Sequence, residues 1–446
     1  MSSVAAVHAR ASAIPSRRRD ARGGPRPRAV ARASSSSDSD RSIAIGSPVV
    51  AESSRRGALL GAAASALLLP ARPAAADELF CGYYTENKAV TPQWAFKTPW
   101  SEGVVDVSSA TGVKDAKTFL RILGKQEVAE SAGHLPVLCL HGGPGLGFKY
   151  MEACEILASD KREVASYDQL GCARSALRSP PPPGTFTPQL HAAELARLRT
   201  VAGLDKVHIV AHGWGAMLAL DHVLGVDGQR GVGGGGVASL TLVSLPPTYA
   251  RLVADRREAL TRLPANFAEV LLDGDDGSRG ANLTPAGKAL YDTAWAEWLV
   301  RYESSRAAGG CYAGLSVGVA GDGFGALREK PATPEVAASA NAVFRDMTGG
   351  KYFTVDGALA DWDADANGRL ARLAATVPGV RIVRGENDAL SSAAAREVFD
   401  AVTRPEMKPR TKFEEVPGAG SCVHLDTSSA FLEGVNAFIG DKDDIL

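Results

Sequence analysis

The chain has 446 residues, 45% of them hydrophobic and 22% charged, which is too apolar for a disordered protein and ordinary for a globular one of roughly two or three domain-equivalents. Six cysteines over that length exclude a disulfide scaffold. The net charge of −1 hides an asymmetry: residues 1–76 hold 12 Arg, no Lys and 4 acids, leaving 37 basic against 46 acidic residues in the rest, an acidic body without the electrostatic footprint of a nucleic-acid binder.

Residues 1–37 are rich in Arg, Ser and Ala with the single acid Asp20, the composition of an organellar transit peptide. A second signal follows: Ser54-Arg55-Arg56, the apolar run Gly57–Leu69, then Ala74-Ala75-Ala76 before Asp77. Thirteen residues reach about 20 Å as a helix, short of a hydrocarbon core of roughly 30 Å, and an A-x-A end favours cleavage over anchoring. No stable membrane span is therefore expected in the mature form. The two signals resemble the bipartite presequences of chloroplast thylakoid-lumen proteins, the Arg pair resembling the twin-arginine type. That resemblance implies a lumenal protein whose mature chain starts near Asp77; a single organellar presequence is the alternative. Cys81, Cys139, Cys154, Cys172, Cys311 and Cys422 all follow Asp77. Cys139 is expected as a buried hydrophobe, and pairing among the others, Cys172 with Cys422 included, stays open.

From residue 136 strands and helices alternate. Pro136–Leu140, Glu163–Asp168, Val207–Ala211, Leu240–Ser244, Val380–Val383 and Lys412–Val416 read as strands. Leu190–Ala202, Trp214–Leu224, Ala393–Val402 and Ser428–Ile439 read as helices. Pro180–Pro183 is a stiff polyproline-type spacer, and a Gly-rich loop spans Gly231–Gly236. Between Tyr249 and about Leu373 the alternation gives way to helices. The pattern predicts an α/β fold with a mostly parallel sheet, flanking helices and an inserted helical cap. Its expected divisions are a targeting segment at 1–76, a core in two parts at 77–248 and 374–446, and the cap at 249–373. Ligands of such sheets sit at the carboxyl ends of the strands. There lie His141–Gly145, Asp168–Ser175, His212–Gly215, Asp388 and Gly418–His424.

Four segments carry a family likeness. They are His141-Gly142-Gly143-Pro144-Gly145 after one strand, Asp168-Gln169-Leu170-Gly171-Cys172-Ala173-Arg174-Ser175 after the next, the strand-turn-helix Val207–Leu220, and Gly357–Asp363 leading into Arg384-Gly385-Glu386-Asn387-Asp388. Together, over residues 100–440, they resemble the proline iminopeptidase group of α/β-hydrolases, serine aminopeptidases that remove an N-terminal residue. The resemblance implies acyl transfer: a Ser on a strained turn attacks, a His takes its proton, and an Asp orients the His. The implied oxyanion hole joins the N–H of Trp214 to that of Gly143.

Against that pattern, Gly213 stands at the nucleophile position and Ser421 at the base position, with His424 three residues further on. The retained acid is Asp388. The acids with which the family grips a free amine are replaced by Tyr352 and Ala389. Loss of a nucleophile or base costs on the order of 10⁶ in turnover, so the resemblance implies a protein that binds without serine-peptidase catalysis. The expected ligand is a peptide or a small acyl or amide compound; a protein partner is undetermined. The alternative is an active hydrolase or aminopeptidase working through water near His212 or Asp388, and a third reading is a scaffold that acts through its cap surface. His212 otherwise reads as a packed histidine, Ser421 as a loop residue, and Asp361-Trp362-Asp363 as the anchor of the return from the cap. His208 and His212 share a strand face, but no third ligand of suitable spacing joins them, so neither metal nor cofactor is expected.

Overall fold

A computed structural model describes residues 100–179, 181–226, 235–305, 333–403 and 410–443. The expected presequence, Cys81, Cys311, Pro180 and most of the Gly-rich loop lie outside them. Eight strands form one sheet: β1 Trp100–Asp106, β2 Lys117–Leu123, β3 Val137–Leu140, β4 Val164–Tyr167, β5 Val207–His212, β6 Val237–Val243, β7 Gly379–Gly385 and β8 Thr411–Val416. Their order is β1-β2-β4-β3-β5-β6-β7-β8. From β4 to β8 every pairing is parallel; β1 and β2 add an antiparallel edge.

Besides three short helices of four to six residues, the helices among the described residues are α1 Pro188–Ala202, α2 Trp214–Leu224, α3 Tyr249–Leu260, α4 Ala265–Asp273, α5 Pro285–Trp298, α6 Pro334–Thr348, α7 Leu370–Thr376, α8 Ser392–Val402 and α9 Ser428–Gly440. Three of them start on Thr-Pro. The hydroxyls of Thr187, Thr284 and Thr333 accept from the N–H groups of Leu190, Gly287 and Val336, while Pro fills the first helical position, where its missing N–H costs nothing. Strands β3 to β7 are buried on both faces, which is why β5 and β6 read as mostly apolar runs without alternation, whereas β8 at the edge is partly exposed. One face packs α1, α2 and α7; the other packs α9 and a 3₁₀ run, Phe148–Asp160.

Strands β1 and β2 were not legible. Arg121 sits mid-strand in β2 and breaks its apolar pattern, yet it is buried, ion-paired with Glu152 (3.2 Å) and Glu155 (3.3 Å) and placed over the Trp100 ring. Partners from distant segments make that position habitable.

Between β6 and β7 come α3, α4, α5, a π-turn (Leu299–Glu303) and α6, with an aromatic core of their own around Trp298, Tyr302 and Phe353. The chain returns to the sheet through Trp362, whose indole N–H donates to Asp221 of α2 (3.0 Å). Arg369 meets the same carboxylate at 2.8 Å. Helix α7 straddles the expected boundary at residue 373 and packs against α2 and α8, with the core.

Candidate functional site

A narrow cleft, about 830 Å³ of empty space with its mouth included, lies between the carboxyl edge of the sheet and the helical insertion. Gly213 is at its floor, on the turn from β5 into α2. Its φ of 54° and ψ of −120° are a conformation that strains any residue with a side chain. The turn is held by backbone bonds: Gly213 N–H donates to Val243 (2.9 Å), and the N–H groups of Ala216 and Met217 donate back to Gly213. A Cβ built on Gly213 meets no atom within 4 Å. The turn is tight and the space before it is open.

The His141–Gly145 turn forms the adjacent wall. Gly143 has φ 119°, and a Cβ on Gly142 would stand 2.8 Å from the carbonyl of His212 and from the Tyr150 hydroxyl. His141 does not line the cleft. It is fully buried, Nδ1 on the Gly142 carbonyl (2.9 Å) and Nε2 accepting from Gln169 N–H (2.9 Å). Burial pushes its pKa down, so it serves as a neutral clamp. Gln169 extends the clamp, accepting from the Trp214 indole at 2.8 Å. The Asp168–Ser175 segment is thus structural: Asp168 takes N–H groups from Phe148 and Arg174, and Ser175 donates to the Asp168 carbonyl.

His212 lines the cleft but is engaged on both ring nitrogens, Nδ1 with the Tyr150 hydroxyl (2.8 Å) and Nε2 facing the Cys422 sulfur (3.9 Å). Burial, only partly opposed by the charge of Glu303, lowers its pKa to about 4, so it is neutral at physiological pH. His424 lies behind it, fully buried among His212, Tyr150 and Phe431, and does not reach the cleft. Cys172 and Cys422 are both free and buried, and burial pushes both thiols up, which leaves them unreactive. Cys139 and Cys154 are free and buried as well. His208, at the other end of β5, bonds Ser239 and Asp443.

Asp388 and Ser421 also line the cleft. One carboxylate oxygen of Asp388 accepts from Leu390 N–H (2.9 Å); the other is buried without a hydrogen-bond partner. Burial raises this carboxyl to about 7, against the pull of Ser244 and Leu390 toward the charged form. Ser421 gives its hydroxyl to Glu303 Oε2 at 2.5 Å, and its backbone N–H to the Tyr302 carbonyl (2.8 Å). The Tyr352 hydroxyl donates to the other oxygen of Glu303. Ala389 lines the cleft as a small apolar wall.

The cleft therefore brings together Gly143, Pro144, His212, Gly213, Trp214, Tyr352, Asp388, Ala389 and Ser421, and leaves His141, Gly142, Gly145 and His424 outside its lining. Sequence reasoning missed Glu303, Arg256, Lys351 and Ser244, which also line it. Glu303 ends a π-turn, a feature frequent at functional sites but without a residue signature. Ser244 has φ 55° at the end of β6.

The sequence pattern described as alpha/beta hydrolase family matches residues 137–433. The chain is 29% identical over 187 residues to a proline iminopeptidase of Clostridium botulinum, covering 42% of this chain and 57% of that one. It is 32% identical over 163 residues to a proline iminopeptidase of Lacticaseibacillus rhamnosus, covering 36% and 52%. The matched stretches thus span about half the length of these relatives. Among solved structures, the Mycobacterium smegmatis proline iminopeptidase superposes with a TM-score of 0.55 at 23% identity, over 77% of this chain and 99% of that one. VinJ superposes with 0.57 at 21%, over 76% and 98%. These superpositions establish a shared fold.

Proposed function

Starting from a chain that belongs to the α/β-hydrolase family and is similar within it to proline iminopeptidases, we propose that this protein binds a ligand in the cleft and has lost serine-peptidase catalysis. The observation that carries this reading is Gly213: the turn keeps the strained backbone and the open space of a nucleophile position and offers no side chain to react. Ser421, at the implied base position, has given its hydroxyl to Glu303. Trp214 N–H and Gly143 N–H remain as the implied oxyanion donors. The ligand class is a peptide or a small acyl or amide compound. The composition of residues 1–76 supports a lumenal address in the chloroplast, checked by sequencing the N-terminus of the protein from isolated thylakoids: a start near Asp77 is expected, and an intact Met1 refutes it.

The test of lost catalysis is turnover of prolyl and aminoacyl arylamides by the wild type and by the Gly213→Ser, Ser421→His double variant. Wild-type turnover indistinguishable from buffer is expected. A serine at 213 has room, so hydrolysis gained by the double variant would support a pocket that lost only its reactive groups. Wild-type turnover abolished by Asp388→Asn overturns the reading and favours water activated at Asp388, whose carboxyl is poised near neutrality.

A further inference from the structure

Four charged side chains line the cleft, and three of them have their charge engaged by neighbours or lowered by burial. Glu303 accepts hydroxyls on both oxygens, from Tyr352 and Ser421. Asp388 is a buried carboxyl held near neutrality. Lys351 is paired with Asp356 at 2.7 Å. The fourth is Arg256, half-buried, its guanidinium carbon 3.7 Å from the centre of the Tyr352 ring and one Nη 3.4 Å from the Tyr352 carbonyl. Among the described residues no carboxylate lies within ion-pair distance of it, and the charges of Glu303 and Asp388 reach it only at longer range. A guanidinium lying on a ring keeps most of its five in-plane N–H donors for another group, and its fork matches a carboxylate.

The walls between Arg256 and the floor are apolar: Leu252, Trp295, Leu299 and Phe344. The floor itself carries the N-terminus of α2, with Trp214 N–H at its first position, which also favours negative over positive charge. An ammonium entering beside the guanidinium would be repelled by Arg256.

We propose that the ligand of this cleft is a small carboxylate with an apolar body, anchored through its anion on Arg256. The proposal rests on the binding reading above and deepens it: the replacement of an acid by Tyr352 did more than remove an amine grip, since the tyrosine ring now presents the arginine.

The experiment measures binding of three probes of one skeleton, 3-phenylpropionate, 3-phenylpropylamine and 3-phenylpropionamide, to the full chain by calorimetry. The carboxylate is expected to bind at least about tenfold more tightly than the other two, the scale of one charge-assisted bidentate pair. Arg256→Gln should erase that preference and Arg256→Lys restore part of it, with the unliganded melting temperature checking each fold. Equal binding of acid and amide, tighter binding of the amine, an unchanged preference in Arg256→Gln, or no binding of any probe each overturns the proposal. Equal binding of acid and amide would leave the binding function standing. Arylamide turnover would remove the lost-catalysis reading without touching the Arg256 result.

Discussion

Asp388 is a buried carboxyl in the lining of the cleft. It keeps one hydrogen bond, to Leu390, and a second oxygen buried without one. Its native pKa of about 7 stands above the ordinary carboxylate value of 3.8, so the native state holds a proton that the unfolded state releases between those values. Stability contributed by this site is intact below pH 4 and is lost as pH rises toward 7, with an upper bound of about 4 kcal/mol for a shift of that size. Asp388→Asn is therefore expected to raise the melting temperature at pH 8 and to leave it nearly unchanged at pH 4. A gain of equal size at both would show that charge burial is not the cause. At this same scale the sequence was most informative. Gly213, Ser421, Tyr352 and Ala389, singled out in the sequence by their spacing from a motif or an element end, all line the cleft. Glu303 and Arg256 were invisible, since a lone Glu or Arg on a helical segment looks like solvated surface until another segment is laid against it.

Elements decide which of these residues meet. The π-turn at Leu299–Glu303 is clamped to the loop after β8: Ser421 N–H and Cys422 N–H donate to the carbonyls of Tyr302 and Glu303, and Ser304 donates to Asp426. A Cβ on Gly420 would lie 2.7 Å from the Glu303 carbonyl, so the two backbones are in direct contact. The return strap is fastened by Asp221, Trp362 and Arg369, all buried. Removing one member of a buried pair strands the other, so Asp221→Ala is expected to cost about 3–5 kcal/mol in urea unfolding. The double variant Asp221→Ala, Arg369→Met should recover much of that loss. A single variant within about 0.5 kcal/mol of wild type would mean the strap bears no strain. Asp361-Trp362-Asp363 reads in the sequence as the anchor of the return from the cap; the carboxylate that Trp362 fastens to, some 140 residues away in sequence, was not readable.

At the scale of the molecule, buried neutral histidines set the response to acid. His141, His208, His212, His222 and His424 are all depressed by burial, His212 to about 4 and His222 to about 3. Each would bind a proton near pH 6.5 once unfolded but not while native, so the unfolded state takes up more protons as pH falls below 6.5. Stability should drop between pH 6.5 and pH 4, and five such sites outweigh the opposite gain from Asp388. The check is the urea midpoint at pH 7 and at pH 4.5, where a midpoint unchanged or higher at pH 4.5 contradicts the argument. His212→Gln should flatten part of the slope.

What the sequence determined alone was the repeating pattern: the parallel strands, the helices behind them, the helical interruption, and the glycine-rich turns at the carboxyl edge. These follow from local periodicity and from backbone conformations that only certain residues adopt, and both are written in consecutive residues. The tertiary structure alone decided that β2 could bury Arg121, that His212 is held by Tyr150, that Glu303 fills the place opposite Ser421, and that Arg256 lines the cleft stacked on Tyr352. The physical reason is that the state of a charged or polar group depends on burial and on its nearest partner, and both are supplied by residues far away in the chain.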